Sequence, residues 1–263
     1  MIETFEDREH LYIVMERCFG KDLYSRAPYS EKSSARITGQ ILSAVAYMHS
    51  HDVIHRDLKF DNIMFETNDD DAPIKIIDFG LAKNTSRQKN CKGFGGTVTY
   101  MAPEILREES YTSKVDIWSI GVITYMLLSS SLPFKCDDQS ESLSTRRSTI
   151  IEKILSREIT FEESCWKSIS PDAKTLIRSM CNKNSNKRLH ALEALQSKWL
   201  RNTNNLSEER IIESDWLKEL SKGLLNYSRS SSIKRLGSLI VAHRMPNTPE
   251  IVKLRNSFEA LGK

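Results

Sequence analysis

The five cysteines of this 263-residue chain are odd in number, lie far apart and never form a C-x-x-C pair (Cys18, Cys91, Cys136, Cys165, Cys181). That pattern excludes a disulfide frame and a cysteine zinc site, so free thiols are expected. No apolar run is long enough to cross a bilayer. The longest, Ile117 to Leu128, begins beside Asp116, which predicts a buried helix and no membrane segment. Charge of one sign is not in excess either, and a net +3 gives no global reason to bind nucleic acid. The opening MIETFEDREH is acidic and has no apolar stretch. It argues against a secretory signal, fits poorly with an arginine-rich transit peptide, and favours a cytoplasmic protein. Repeats and low-complexity stretches are missing too. With 39% hydrophobic and 28% charged residues, the chain has the composition of one globular domain plus an appendage.

Along the chain, HLYIVMERC (His10 to Cys18) mixes apolar and β-branched residues and predicts a strand that ends in the turn FGKD. Ser30 is an N-cap with Glu31 behind it, and Ile37, Ile41, Val45 and Met48 share one helical face. The segments NIMF (Asn62 to Phe65) and IKIID (Ile74 to Asp78) predict a hairpin around the acidic turn ETNDDDAP. Asp69 to Asp71 lack the spaced oxygens, central glycine and distal glutamate of a calcium loop, so a solvated turn is expected there. From about Ser113 to Trp199 the pattern is helical, with turns at SLPF, SISPD and CNKNSN. Past Trp199 the polar RNTNNLSEER marks a boundary. Beyond it, Trp216, Leu217, Leu220 and Leu224 form one apolar stripe and Ile233, Leu236 and Ile240 another, the latter beside Lys234 and Arg235. Thr248 and Pro249 can open a last helix with Ile251, Leu254, Phe258 and Leu261 on one face.

The chemistry concentrates in HRDLKFDN (His55 to Asn62), followed by DFG (Asp78 to Gly80), GTVTYMAPE (Gly96 to Glu104) and DIWSIG (Asp116 to Gly121), an order that resembles the protein-kinase signature set and so implies phosphoryl transfer. A hydroxyl attacking a phosphoryl group must be positioned and partly relieved of its proton, which a carboxylate within reach accomplishes. Asp57 is the candidate. The charge that builds on the transferred oxygens is met by magnesium on hard oxygen ligands, for which Asn62 and Asp78 are candidates. Lys59, two residues after Asp57, can reach the same group.

These motifs resemble the eukaryotic protein kinases, and the DLK and GT-x-x-Y elements resemble their serine/threonine branch. The resemblance implies an α+β, mainly α, kinase-like fold with ATP and magnesium as cofactors. It implies that Thr97 fixes Asp57, that Glu104 pairs with Arg188, that Asp116 braces the catalytic loop, and that His55 and Phe79 join an apolar spine. It also implies that Met15 is the gatekeeper, that Glu16 and Cys18 bond adenine through their backbone, that Asp22 meets the ribose, and that Met64 lies beneath the base. Without the resemblance, Met15 and Met64 read as ordinary core methionines.

The same family places a glycine-rich loop over the phosphates and pairs a strand lysine with a helix glutamate. None of these stands in the 263 residues, and GFGG (Gly93 to Gly96) falls after DFG. The expectation is therefore a hinge and C-terminal lobe over 1–200 with most of the N-terminal lobe absent, a linker over 201–214, junction helices over 215–245, and a first EF-hand helix over 248–263. Phe60 replaces the usual proline after DLK, Lys21 replaces a glycine after the hinge, and Gly93 stands where Arg56 would usually meet a phosphate or acid. Asp22 and Asp61 match the acidic positions of basophilic kinases, implying protein substrates with basic residues before serine or threonine. SSSIKRLGSLIVAHRM and NTPEIVKLRNSFEALG resemble the junction and first EF-hand helix of calcium-dependent protein kinases. A downstream EF-hand domain or a calmodulin-like partner is thereby implied, with calcium bound outside this chain, since Gly262 stands at the first loop position. Two readings stay open: a serine/threonine kinase, calcium-regulated at full length and inactive as this fragment, or a catalytically inactive kinase-like binding module. The helix of SIKRLGSLIVAHR is either regulatory or merely docked.

Overall fold

A chain with one long, mostly apolar helix and several amphipathic ones should wrap the latter around the former. The computed structural model, which describes residues 3–86, 91–136 and 142–204, has that arrangement. These residues fall within one compact unit, Met1–Ser207. The sequence begins with β1 (Glu3–Glu6) and β2 (Leu11–Val14), paired antiparallel with Glu3 opposite Val14 and Glu6 opposite Leu11. Asp7 makes the turn, its Oδ1 accepting the amides of Glu9 and His10 at 2.8 Å each. The expected strand over His10 to Cys18 is thus only four residues long, and residues 15–19 carry no regular secondary structure.

Ser30 caps α1 (Glu31–Ser50) by accepting the Ser33 amide, and Ile37, Ile41, Val45 and Met48 are all buried, as their spacing predicts. Then β3 (Val53–Ile54), β4 (Ile63–Phe65), β5 (Ile74–Ile76) and β6 (Lys83–Asn84) form two further antiparallel pairs, β4 with β5 and β3 with β6. The first is the expected hairpin, with Met64 opposite Lys75. Its acidic turn is exposed and held by arginine: Arg36 donates to the carbonyls of Asp70, Asp71 and Ala72, and Arg26 to that of Asp69.

The helices that follow are α2 (Pro103–Leu106), α3 (Lys114–Ser129), α4 (Leu143–Ser156), α5 (Pro171–Met180), α6 (Ala191–Leu195) and α7 (Lys198–Asn204). Every residue of α3 from Val115 to Leu128 is buried, which accounts for its mostly apolar composition. It packs against α1 and α5, while α1 also takes α6 and α7. Buried hydroxyls register α1 on α3, with Thr38 and Thr124 3.2 Å apart and Ser34 donating to the Leu127 carbonyl. Helix α7 runs past Leu200 into the stretch expected as linker, anchored by buried Trp199, whose indole donates to Glu31 at 2.9 Å. The junction and EF-hand helices expected over 215–263 lie outside the described residues.

Candidate active site

The loop between β3 and β4 carries HRDLKFDN, and its shape follows from where its polar atoms are satisfied. Asp116, on the first turn of α3 and fully buried, accepts the amide of His55 on Oδ2 and that of Arg56 on Oδ1, both at 2.9 Å. His49, at the end of α1, binds the same Oδ2 through Nε2 at 2.8 Å. Three donors on one carboxylate make its burial tolerable and hold Arg56 in a left-handed conformation (φ 73°) that non-glycine residues rarely adopt. The His55 ring ties this loop to the next: Nδ1 accepts the Asp57 amide at 3.4 Å, and Nε2 donates to the Ile77 carbonyl at 3.1 Å. Both bonds require neutral histidine with its proton on Nε2. The ring also packs 4.9 Å from Phe79 of DFG.

Asp57 points both oxygens at fixed partners. Oδ1 accepts the amide of Thr97 at 2.9 Å and its hydroxyl at 3.0 Å. Oδ2 lies 2.9 Å from Lys59 Nζ and 3.3 Å from Asn62 Nδ2, which also donates to the Asp57 carbonyl at 2.8 Å. The hydrogen bond to Asp57 raises the Lys59 pKa above its usual value, with further support from the charges of Asp57, Asp61 and Asp78. Thr97 reaches Asp57 because Gly96 precedes it at φ 108°; a β-carbon on Gly96 would stand 2.6 Å from the Arg56 carbonyl oxygen. Asp57, Lys59, Asn62 and Thr97 are therefore one cluster.

Asp78 sits beside it in a left-handed conformation (φ 61°), exposed, with Oδ1 accepting the Gly80 amide at 3.2 Å. Asn62 spends its amide group on Asp57, so its Oδ1 is available, and Asp78 Oδ2 is available too. Two hard oxygens near a lysine fit magnesium, which characteristically takes one or two protein ligands and completes its shell with phosphates and water. Among the described residues no cluster of three or more histidine, cysteine, aspartate or glutamate side chains could hold a metal alone.

Four of the five expected nucleotide-side residues sit along one path. The chain runs beside β4, Phe19 donating to Glu66, Phe65 to Lys21 and Gly20 to Phe65, and Asp22 pairs with Met64. Gly20 is obligatory there, since a β-carbon would lie 1.9 Å from the Thr67 oxygen. Glu16 is salt-bridged to Lys75, opposite Met64, and burial pushes the Cys18 thiol up beside that pair. The structure thus gathers Glu16, Cys18, Asp22 and Met64 but leaves Met15 66% exposed. Asp22 Oδ1 accepts both the amide and hydroxyl of Ser25 at 2.8 Å.

The scaffolding expectations also find their partners. Arg188, fully buried, forms a two-pronged pair with Glu104 at 2.6 and 2.9 Å. Sequence reasoning missed His49, whose only signal was its place six residues before His55, and an aromatic contact across the groove. In that contact Tyr24 packs 4.9 Å from Phe60 and its hydroxyl lies 3.1 Å from that of Tyr100. Phe60, in place of proline, is the ring that makes this contact possible.

Comparison with known proteins agrees with this geometry. The protein kinase domain family matches residues 1–200. The chain belongs to the protein kinase family. It is 37% identical over 99% of its length to the CDPK-related kinase 7 of Arabidopsis thaliana, covering 43% of that protein. It is 36% identical over 99% of its length to calcium-dependent protein kinase 5 of Plasmodium falciparum (isolate 3D7), covering 44%. Against the calcium/calmodulin-dependent serine/threonine-protein kinase 1 of Oryza sativa subsp. japonica the identity is 35% over 99% of the chain and 42% of that protein. Within the family its similarity is to calcium-dependent serine/threonine kinases, and it spans less than half the length of these relatives. Among the described residues no helix is long and apolar enough to cross a membrane.

Proposed function

We propose that this chain supplies the catalytic loop and hinge of a serine/threonine kinase that moves the ATP γ-phosphoryl group to protein hydroxyls. The observation that carries this reading is the Asp57 carboxylate, immobilised by Thr97 on one oxygen and by Lys59 on the other. A carboxylate held so costs little to reorganise when a substrate hydroxyl approaches. It orients that hydroxyl and takes its proton late in the transfer. Lys59 is placed to meet charge on the transferred oxygens. Asn62 Oδ1 and Asp78 would hold magnesium, which when bound would neutralise phosphate charge. Met15, Glu16, Cys18, Asp22 and Met64 would receive the adenosine. Asp61, exposed, and Asp22 would select a basic residue before the acceptor.

In this reading the domain covers 1–200, and the phosphate-side clamp comes from a small lobe outside the 263 residues. The β1–β2 hairpin supports that arrangement, because all eight of its strand residues, Phe5, Tyr12 and Ile13 among them, are exposed. Calcium control would act through EF-hands beyond this chain and the basic segment near Lys234 and Arg235. The test joins a glycine-rich loop and lysine strand from a curated relative ahead of Glu3 and measures phosphate transfer to a basic serine peptide. Asp57→Asn is expected to lower kcat by about 10² to 10⁴ with nucleotide affinity little changed. A folded chimera with no activity, or one indifferent to Asp57, favours a binding module instead.

A further inference from the structure

Away from the catalytic loop, a cleft of about 500 Å³ opens between the segment after α4 (Glu158, Ile159), the end of α5 (Arg178, Cys181) and the turn from Asn182 to Lys187. That volume is within the range of ligand pockets. Its walls offer donors far more than acceptors. Arg178, Lys183 and Lys187 face it against the single carboxylate of Glu158, and Lys183 also senses the charge of Arg107. Glu158 does little to offset them, being 80% exposed and 3.9 Å from Lys183. The side-chain oxygens of Asn182 and Asn184 are consumed by the amides of Asn184 and Asn186 at 3.0 Å, which leaves their NH₂ groups to donate.

The cations are also held ready. The Arg178 guanidinium lies over the Phe161 ring at 4.7 Å, an arrangement that keeps its N–H edge for an acceptor. Lys183 Nζ donates to the Leu155 carbonyl at 3.2 Å, and burial pulls its pKa below the usual lysine value, so its ammonium group gains from an added anion. The turn cannot drift, because Arg188 Nε donates to the Asn182 carbonyl while its other nitrogens grip Glu104. Ile159 and Cys181, both buried, supply apolar lining. A free inorganic anion would make no use of the apolar stems and edges that line the cleft.

We infer that this cleft is a docking site for an acidic segment of a partner protein, one that interleaves glutamate or aspartate with apolar residues. The carboxylates would meet Arg178, Lys183 and Lys187, and the apolar side chains would lie along the aliphatic stems of those residues and the edges of Ile159 and Cys181 that face the cleft. The site shares no residue with the phosphoryl-transfer cluster, so it stands or falls independently of the proposed activity.

The experiment is fluorescence anisotropy of a short labelled peptide alternating glutamate and leucine, titrated with the full 263-residue chain. Saturable binding that weakens with salt is expected, with the Lys183→Glu/Lys187→Glu double variant reducing affinity by about tenfold or more. Lys32→Glu on the exposed face of α1 should leave binding unchanged. Should the double variant misfold by circular dichroism, Lys187→Gln alters only an exposed side chain and should still weaken binding measurably. Equal affinity of wild type and cleft variants overturns the site. Equal binding by poly-glutamate of the same length, or full displacement by inorganic phosphate, overturns the acidic-apolar partner.

Discussion

The catalytic loop and the N-terminal hairpin lie within sixty residues of each other in sequence and could hardly be held more differently. Between His55 and Asn62, Asp57, Leu58, Phe60 and Asn62 are buried, and the polar groups of Asp57 and Asn62 find partners on Lys59 and Thr97. In the hairpin the backbone ladder does the holding, while Phe5, Leu11, Tyr12 and Ile13 are at least half exposed. A two-stranded ribbon is marginal by itself in water and is stabilised when a further layer covers it. The contrast teaches that the loop bearing Asp57 is self-supporting here, whereas the hairpin keeps an exposed face that a covering element would stabilise.

The largest effect is expected at the buried Arg188–Glu104 brace. Arg188→Ala leaves the buried Glu104 carboxylate uncompensated and should cost about 3 to 5 kcal/mol in urea unfolding of the chain. A cost under about 1 kcal/mol, the level of an exposed ion pair, would mean the brace is dispensable. A smaller effect is expected one step closer to the chemistry. In the lobe-completed chimera, Thr97→Ala removes two hydrogen bonds from a charged oxygen, so kcat should fall by the equivalent of about 1.5 to 3 kcal/mol. KM should hold, and Thr97→Ser should restore most of the rate; a change confined to KM would deny Thr97 its positioning role. Smallest of all, Phe5→Ser in the bare chain should move stability by less than about 0.5 kcal/mol. The same substitution should cost far more once the hairpin is covered, and equal small effects in both would remove the evidence for a covering lobe.

The cluster around Asp57 was legible in sequence because its partners are fixed by motif: Asp57, Lys59 and Asn62 are neighbours, and Thr97 follows a glycine that permits its approach. The long helices were legible too, through the Ser30 cap and the apolar period of α1. Strand β1 was not, since four exposed residues carry no burial pattern to read. Nor was the Tyr24–Tyr100 contact, which joins residues 76 apart, or the packing of Tyr24 on Phe60, which stands where proline is usual. His49 reaches Asp116 across 67 residues, a pairing that only the crossing of α1 and α3 creates. Local chemistry announces itself in order and spacing, while contacts made by tertiary packing do not.

The central claim is that Asp57 is poised but that the phosphate-side clamp lies outside these residues. It is tested most directly by incubating the pure 263-residue chain with ATP, magnesium and a basic serine peptide and measuring phosphate incorporation. The account predicts transfer no greater than that of the Asp57→Asn variant; robust transfer by the chain alone, abolished by that substitution, would contradict it.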